Sequence, residues 1–340
     1  MRIGTNPVKE NYEVTVENYH RVVIPVYIPD FEGYFKEAFD IFKMCLESLL
    51  LTVHEKTRIT IYNNDSHSKV KDYIDEQYRK YDFIDQVFHS KVNLGKVNAI
   101  LAAVKGNLEP LITITDADVL FKSDWQQEVE KLFISFPEAG MISPVPVSKS
   151  YGQFTANNWG KFFLSGKISF DDVRDPRGLE LFDKSLGNEK PIYDEVHLKK
   201  YLTVEAKDGN KACMGCGHFV ATMRREVFDK GSNFPAFIKI QGGVENKFID
   251  KPNEKLGFLR LATLGNYAFH MGNSKEDWMS EEYKKISAEN KIYSSRFINV
   301  QDPKEVSKLE KIIGNLLLKI ISNKIGKRTI FRLLGMNQDY

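Results

Sequence analysis

The chain has 340 residues, 42% of them hydrophobic and 28% charged, with a formal net charge of +2. That length suits one large α/β domain with insertions, or two domains. The small net charge leaves no whole-chain case for nucleic acid binding.

The balance hides an asymmetry. Residues 304–340 carry eight basic and three acidic side chains, a net +5, which leaves −3 for the remainder. Three cysteines (Cys45, Cys213 and Cys216) are too few, and odd in number, for a secreted domain built on disulfides. Met1–Asn6 has no apolar signal core. No segment approaches the ~20 apolar residues of a spanning helix. The expected location is cytoplasmic, at most peripheral on the inner face of a membrane.

Residues 21–29 read as a first strand and 35–53 as an amphipathic helix, with Phe39, Phe42, Cys45, Leu46 and Leu49 at helical spacing. A second strand at 58–62 runs into the polar loop Asn63-Asn64-Asp65-Ser66, and a helix follows at 69–81. A short strand at 86–89, the turn Asn93-Leu94-Gly95-Lys96 and a helix at 97–104 lead to the strand that starts at Leu111. A helix at 125–136 and a strand at 141–146 come next. Residues 148–210 are irregular, aromatic and glycine-rich and read as an insertion or an acceptor-facing region. A strand at 218–223 and a helix at 225–229 follow. Alternating strand and helix predict an α/β fold with a mostly parallel sheet flanked by helices. Ligands of such sheets sit beyond the carboxyl ends of the strands, so the loops after Ile28, Tyr62, His89 and Thr115 should share one rim.

The segment Leu111-Ile112-Thr113-Ile114-Thr115-Asp116-Ala117-Asp118 carries the most chemistry. It reads as a buried β-branched strand ending in two carboxylates one residue apart. Unpaired charge is costly to bury, and hard carboxylate oxygens bind divalent cations. Such a cation can hold a diphosphate and offset charge on a leaving group. An Asp-rich turn with no ligand is the plainer alternative.

In this order the motifs resemble those of the family 2 glycosyltransferases, which have the GT-A fold. Val23-Ile24-Pro25-Val26-Tyr27 looks like the family's opening strand, and Asn63-Asn64-Asp65-Ser66 stands where Asp-Asp-Gly-Ser is usual. Asn93-x-Gly95-Lys96-x-Asn98-Ala99 resembles the donor-site loop, and Thr115-Asp116-Ala117-Asp118 the metal motif. Gly242-Gly243-Val244-Glu245-Asn246 with Gly257-Phe258, and then Phe269-His270-Met271-Gly272, complete the set.

The resemblance implies inverting, metal-dependent transfer of a sugar from a nucleotide-diphosphate donor to a saccharide or lipid-linked saccharide. Bacterial surface polysaccharide or glycan synthesis is the implied setting. It also implies roles. Asp118 is the main ligand of Mn²⁺ or Mg²⁺, with His270 as a further ligand, and Asp116 supports the metal or binds ribose. Pro25, Tyr27, Asn63, Asn64, Asn93, Gly95, Lys96 and Ala117 join Asp116 in holding the donor. UDP is the expected nucleotide, because an amide at Asn63 can both donate to and accept from a pyrimidine edge. Glu245 is the base, with Asp250 a distant second, since Asn246 cannot act as one. Gly215, Gly217 and His218 form an acceptor wall, with Trp159 beside Phe162 and Phe163 as sugar-stacking surface or core. Cys213-x-x-Cys216-x-His218 supplies only three zinc ligands, which argues for packing cysteines.

The expected division is a catalytic domain over 1–275 (donor half about 20–146, acceptor half about 147–275) and a basic amphipathic helical extension over 276–340. Basic amphipathic helices lie on anionic membranes or dock on their own domain, and Gly314 and Gly326 are expected to break this one. Three functions compete with glycosyl transfer: a nucleotidyltransferase making a nucleotide sugar, a non-catalytic nucleotide-sugar-binding protein, and an interaction protein acting through its tail.

Overall fold

The computed structural model describes residues 3–10, 13–231, 234–239, 243–289, 291, 293–295, 300–337 and 340. Gly242 of the expected Gly-Gly turn lies outside the described residues. The fold opens with β1 (His20–Val26), β2 (Thr57–Asn64), β3 (Ile84–Ser90) and β4 (Leu111–Thr115), paired in parallel in the order β3-β2-β1-β4. Parallel neighbours need crossover connections, and α1 (Ala38–Thr52), α2 (Ser68–Lys80) and α3 (Lys96–Lys105) supply them. The apolar spacing read from the sequence is the buried face of α1, where Phe42, Cys45, Leu46 and Leu49 are inaccessible. All five residues of β4 are buried. Leu111 enters one apolar cluster, and Ile112 and Ile114 another, as side chains alternating across a strand must.

β5 (Val119–Phe121), α4 (Trp125–Ser135) and β6 (Ala139–Ser143) follow. The next stretch contains α5 (Ala156–Phe162), β7 (Ile168–Asp172), α6 (Pro176–Ser185), α7 (Glu195–Lys199) and β8 (Lys200–Glu205). The sequence reads this stretch as irregular. Its elements span only five to ten residues each, and a single residue of β7 is buried, so their periodic signal is weak. β9 (Lys211–Met214), β10 (Val220–Arg224), α8 (Arg225–Asp229), α9 (Lys251–Lys255), β11 (Leu259–Ala262) and β12 (Ala268–His270) complete the strands.

The ten-stranded sheet runs β3-β2-β1-β4-β10-β6-β11-β9-β8-β7, and β12 pairs with β5 separately. Among themselves β1 to β4 are wholly parallel. β10 is antiparallel to both β4 and β6, and β7, β8 and β9 form an antiparallel meander. The mixed α/β sheet, flanked by helices and followed by C-terminal helices, is the architecture expected from the sequence.

At the edge opposite the carboxyl rim, the buried Glu130 Oε1 accepts from His20 Nδ1 at 3.0 Å and His54 Nε2 at 2.9 Å, and its Oε2 accepts from Tyr19 at 3.1 Å. Burial alone would raise the Glu130 pKa, yet these two imidazoles outweigh it and hold the carboxyl below its ordinary value. This closed network ties α4 to the start of β1.

After α10 (Asp277–Glu289), the tail folds as α11 (Lys308–Ile321) and α12 (Lys324–Leu333). α11 begins with a capping box, in which Ser307 and Glu310 satisfy each other's backbone N–H. The helix does not break at Gly314. The turn falls at Ser322–Asn323, where Asn323 caps α12 by accepting from Ile325 N and Gly326 N. Gly314 is instead a contact residue: a Cβ there would stand 1.8 Å from the Ala156 carbonyl oxygen. The facing Gly160 of α5 meets the Glu310 carbonyl oxygen at the same 1.8 Å. Two glycines thus bring the backbones of α5 and α11 together and dock the tail, with Leu317 and Ile321 entering the acceptor-side core.

Gly314→Ala should therefore lower stability. An exposed helical site would gain about 1 kcal/mol from alanine, but the overpacking costs about 1–3 kcal/mol, so denaturant melts should show a net loss. A net gain would mean that α11 and α5 separate easily.

Candidate active site

The carboxyl ends of β1, β2, β3 and β4 share one rim. The loops beyond them frame a cleft of about 460 Å³, lined by Pro25, Tyr27, Asn64, Asn93, Gly95, Lys96, Asp116, Ala117, Asp118 and Glu245 among others. Backbone geometry fixes the donor loops. Gly95 has φ +84°, and a Cβ there would come within 2.7 Å of the Lys239 backbone, so only glycine fits on two counts. Asn64 Nδ2 donates to Asn93 Oδ1 at 2.9 Å, while its Oδ1 accepts from Leu94 N at 2.9 Å. Asn93 Oδ1 also receives Gly95 N. Asn64 thereby clamps the turn that delivers Lys96.

Asn63 does not line the cleft. It is 2% exposed, its Nδ2 meets His89 Nδ1 at 2.9 Å, and its Oδ1 accepts from Ser66 N. Successive strand residues point to opposite faces, so only one of the two asparagines can face the donor side.

Lys96 is ion-paired to Asp116 and lies 3.7 Å from Glu245 Oε1. Burial alone would lower the Lys96 pKa; Asp116 and then Glu245 outweigh it and raise it. Burial pushes the Asp118 carboxyl up, with Asp116 adding to this and His270 opposing it. His270 Nε2 stands 3.5 Å from Asp118 Oδ2. Its Nδ1 meets Ser185 Oγ at 2.9 Å, and the ring abuts Phe219 edge-on with centroids 5.1 Å apart. Such an outer contact fixes the orientation of a ligating imidazole.

One oxygen from each of Asp116 and Asp118 and one nitrogen of His270 lie within 4.8 Å of one another. Asp118 Oδ1 is buried without a hydrogen-bond partner among the described residues. Two carboxylates, an imidazole and an orphaned oxygen fit a divalent cation, and the imidazole favours Mn²⁺ over Mg²⁺.

On the acceptor side, Asp116 N donates to Phe219 O at 2.8 Å, which sets His218 one residue beyond, beside Ala117. His218 Nδ1 lies 3.0 Å from Asp250 Oδ2, and Arg260 Nη2 lies 2.7 Å from Asp250 Oδ1. Asp250 is fully buried against these two side chains and is not available as a base. Gly215 is buried with φ +84°, its missing Cβ 2.4 Å from the Ser150 carbonyl oxygen, and Gly217 contacts Phe219. Trp159 is corrected to core. It is fully buried, donates through Nε1 to Tyr151 O at 2.9 Å and stacks on Phe331, so it offers no face to a sugar. Cys213 and Cys216 are buried free thiols, which burial pushes up to about 12. They pack rather than ligate.

Tyr34, Phe35, Lys239 and Asn273 also line the cleft. No motif marks them in the sequence: Tyr34 and Phe35 sit in a single 3₁₀ turn, and Lys239 and Asn273 sit in loops brought in by the fold.

The fold and its rim define an α/β protein with an acidic, cation-ready cleft at the carboxyl ends of parallel strands. The chain belongs to glycosyl transferase family 2, whose model matches residues 22–231. That match includes the Asn63, Asn93 and Asp116–Asp118 loops and stops before Glu245 and His270, which the tertiary structure brings in. No curated protein sequence matches the chain at a significant level.

Among solved structures the chain is similar to S. aureus TarS 1–349, with a TM-score of 0.43 and 11% identity over 79% of this chain and 64% of that one. It is similar to the mannosyltransferase PcManGT from Pyrobaculum calidifontis in complex with GDP-Man and Mn²⁺, with a TM-score of 0.46 and 12% identity over 94% and 75%. It is also similar to GalNAc-T7 with UDP, GalNAc and Mn²⁺, with a TM-score of 0.46 and 13% identity over 80% and 48%. The chain thus spans less than two thirds of TarS 1–349 and 39% of a longer TarS structure.

Asn64→Ala removes the clamp and leaves the Leu94 N–H unsatisfied. We expect a stability loss of about 1–3 kcal/mol in chemical denaturation. A change below a few tenths would show that water replaces the amide.

Proposed function

We propose that this protein transfers a sugar, with inversion, from a nucleotide-diphosphate donor to a hydroxyl of a saccharide or lipid-linked saccharide, in surface polysaccharide or glycan synthesis. The observation that carries the reading is one cleft lined by Asp116, Asp118, Lys96 and Glu245 at the carboxyl rim of parallel strands, with His270 Nε2 3.5 Å from Asp118 Oδ2. Membership of the family supports it.

Mn²⁺ or Mg²⁺ held by Asp118, His270 and Asp116 would supply Lewis-acid neutralisation of the departing nucleoside diphosphate. The chain's own groups do the rest. Lys96 brings a fixed positive charge to the diphosphate, and Gly95 lets the backbone approach it closely. Pro25, Tyr27, Asn64, Asn93 and Ala117 form the bed for the nucleotide. Glu245 takes the acceptor proton as the new glycosidic bond forms, because a general base must reach the hydroxyl directly. Asn246 cannot substitute for it. Direct displacement with one base inverts the anomeric centre. UDP stays the proposed nucleotide, although the inward-facing Asn63 cannot read its base.

Thermal unfolding with a panel of nucleoside diphosphates, each with and without Mn²⁺, tests the donor site. A ligand of the native state at one hundred times its dissociation constant adds about 2.7 kcal/mol. The stabilisation should need one nucleotide and Mn²⁺ together, and should vanish in Asp118→Asn. Glu245→Gln should keep that shift and lose transfer at least a hundredfold. Unchanged turnover in this variant would remove Glu245 as the base. The absence of a shift with any nucleotide would remove the donor reading.

We also propose that the outer ridge of α11 rests on an anionic membrane surface. Leu309, Ile312, Leu316 and Ile320 lie along one helical face and are 46–65% exposed, with Lys308 and Lys319 beside them. The net +5 of the tail favours an anionic surface as the occupant. No helix of the described residues is long and apolar enough to cross a membrane. Sedimentation with phosphatidylglycerol-containing vesicles should show binding that falls more than tenfold in Ile312→Ser/Leu316→Ser, since each side chain is worth roughly 1.5–3 kcal/mol when buried. Equal binding to neutral phosphatidylcholine vesicles, or no loss in the double variant, would refute the ridge.

A further inference from the structure

The segment 234–239 matches no motif, yet it reaches the wall of the donor cleft. Asn98, in the first turn of α3, holds it at two points. Asn98 Oδ1 accepts from Ala236 N at 2.8 Å, and Nδ2 donates to Ala236 O at 2.7 Å. The same Nδ2 donates to Leu94 O at 2.7 Å. One amide thus joins the turn after β3 to a peptide unit 138 residues beyond it, and satisfies both backbone groups of Ala236 as a neighbouring strand would. Phe234, Phe237 and Ile238 stay exposed around the buried Ala236. Directed hydrogen bonds, more than burial of the flanking side chains, therefore set where the segment lies.

The backbone of Lys239, three residues on, rests against Gly95. A Cβ at Gly95 would stand 2.7 Å from both Lys239 Cα and the Lys239 carbonyl oxygen. The absence of a side chain at Gly95 is what lets the two segments touch. Lys239 is exposed and lines the cleft. Among the described lining residues it and Lys96 are the two lysines, beside Asp116, Asp118 and Glu245. Lys96 is already engaged, ion-paired to Asp116 and 3.7 Å from Glu245 Oε1. A departing nucleoside diphosphate gains negative charge, and a lysine shared with two carboxylates answers that charge only in part.

We infer that Lys239 is a second binding residue for the diphosphate of the donor, and that Asn98 is the positioning residue that brings it there. An ammonium on a flexible stem binds phosphate as a point charge and needs no planar partner, which suits an exposed side chain on a short segment. Lys96 and Lys239 then border the same glycine, one on the helix after it and one on the segment laid across it. The inference rests on the transferase reading of the cleft and adds to it two residues that the donor motifs leave without a role.

Titration of the full chain with UDP and with UMP, each at saturating Mn²⁺, tests it; the matching pair replaces them if the thermal panel selects another base. Lys239→Gln should weaken the diphosphate about tenfold, the worth of one hydrogen bond to a charged group, and leave the monophosphate within about twofold. Lys239→Arg should stay within about twofold for both. Asn98→Ala, and the milder Asn98→Ser, should weaken the diphosphate selectively in the same direction. Binding of Mn²⁺ alone, followed by electron paramagnetic resonance of the free ion, should not weaken in any variant, because Asp118, His270 and Asp116 are untouched. A variant that had simply lost its fold would lose both nucleotides and the ion together. Equal weakening of UDP and UMP in Lys239→Gln, or no weakening, would overturn Lys239 while the donor reading stands. Selective loss in Lys239→Gln with none in either Asn98 variant would overturn the clamp. If the unaltered chain bound neither nucleotide, the donor reading and this inference would fall together.

Discussion

Two carboxylates at the end of a strand buried on both sides are the constraint from which the rest of the cleft follows. Asp116 and Asp118 repel each other, and burial pushes Asp118 towards its neutral form. Positive or ligating groups must therefore gather round them. Lys96 arrives at the start of α3, pairing with Asp116. His270 arrives at the end of β12, held by Ser185 and Phe219 so that Nε2 faces Asp118. One oxygen of Asp118 still lacks a partner among the described residues, and an unsatisfied buried acceptor is costly. A cation in that place answers the remaining imbalance.

The supports are backbone devices spread across the chain. Asn64 holds Asn93 and Leu94, and so aims the turn that carries Gly95 and Lys96. The pairing of β10 with β4 carries Phe219 and His218 to the far side of the same turn. The chain of half-buried His218, buried Asp250 and buried Arg260 then transmits position outward to the loop over 148–153. Beyond that loop the glycine contact of α5 with α11 seats the C-terminal helices. The His218 segment, the loop over 148–153 and the tail are thus parts of one packed unit.

Much of this is legible in the sequence because it is local. The apolar runs of β1, β2 and β4 and the 3.6-residue spacing of α1 reflect burial, which composition records directly. The acidic pair after Thr115 and the glycine before Lys96 carry their chemistry in adjacent residues. Other features are not local. Asn63 and Asn64 have identical side chains, and only the strand's pleat decides which one faces the cleft. Trp159 reads equally as a stacking platform or as core until Phe331, about 170 residues on, closes over it. Gly314 looks like a helix breaker and proves to be the point of closest helix approach, because its partner Gly160 belongs to another segment.

The sequence by itself determined the α/β alternation, the parallel donor half and the family, along with the Asn93, Gly95, Lys96, Asp116 and Asp118 framework. Each of these follows from periodicity or from motifs of a few residues. The tertiary structure decided how His270 and Glu245, already named by the family motifs, reach that framework, that Asp250 is spent on His218 and Arg260, and that the tail docks through glycines while leaving an apolar ridge exposed. Except for Asp250 with Arg260, ten residues apart, those outcomes depend on pairs 32 to 192 residues apart. Long-range sheet pairing and helix docking, rather than local preference, bring such pairs together.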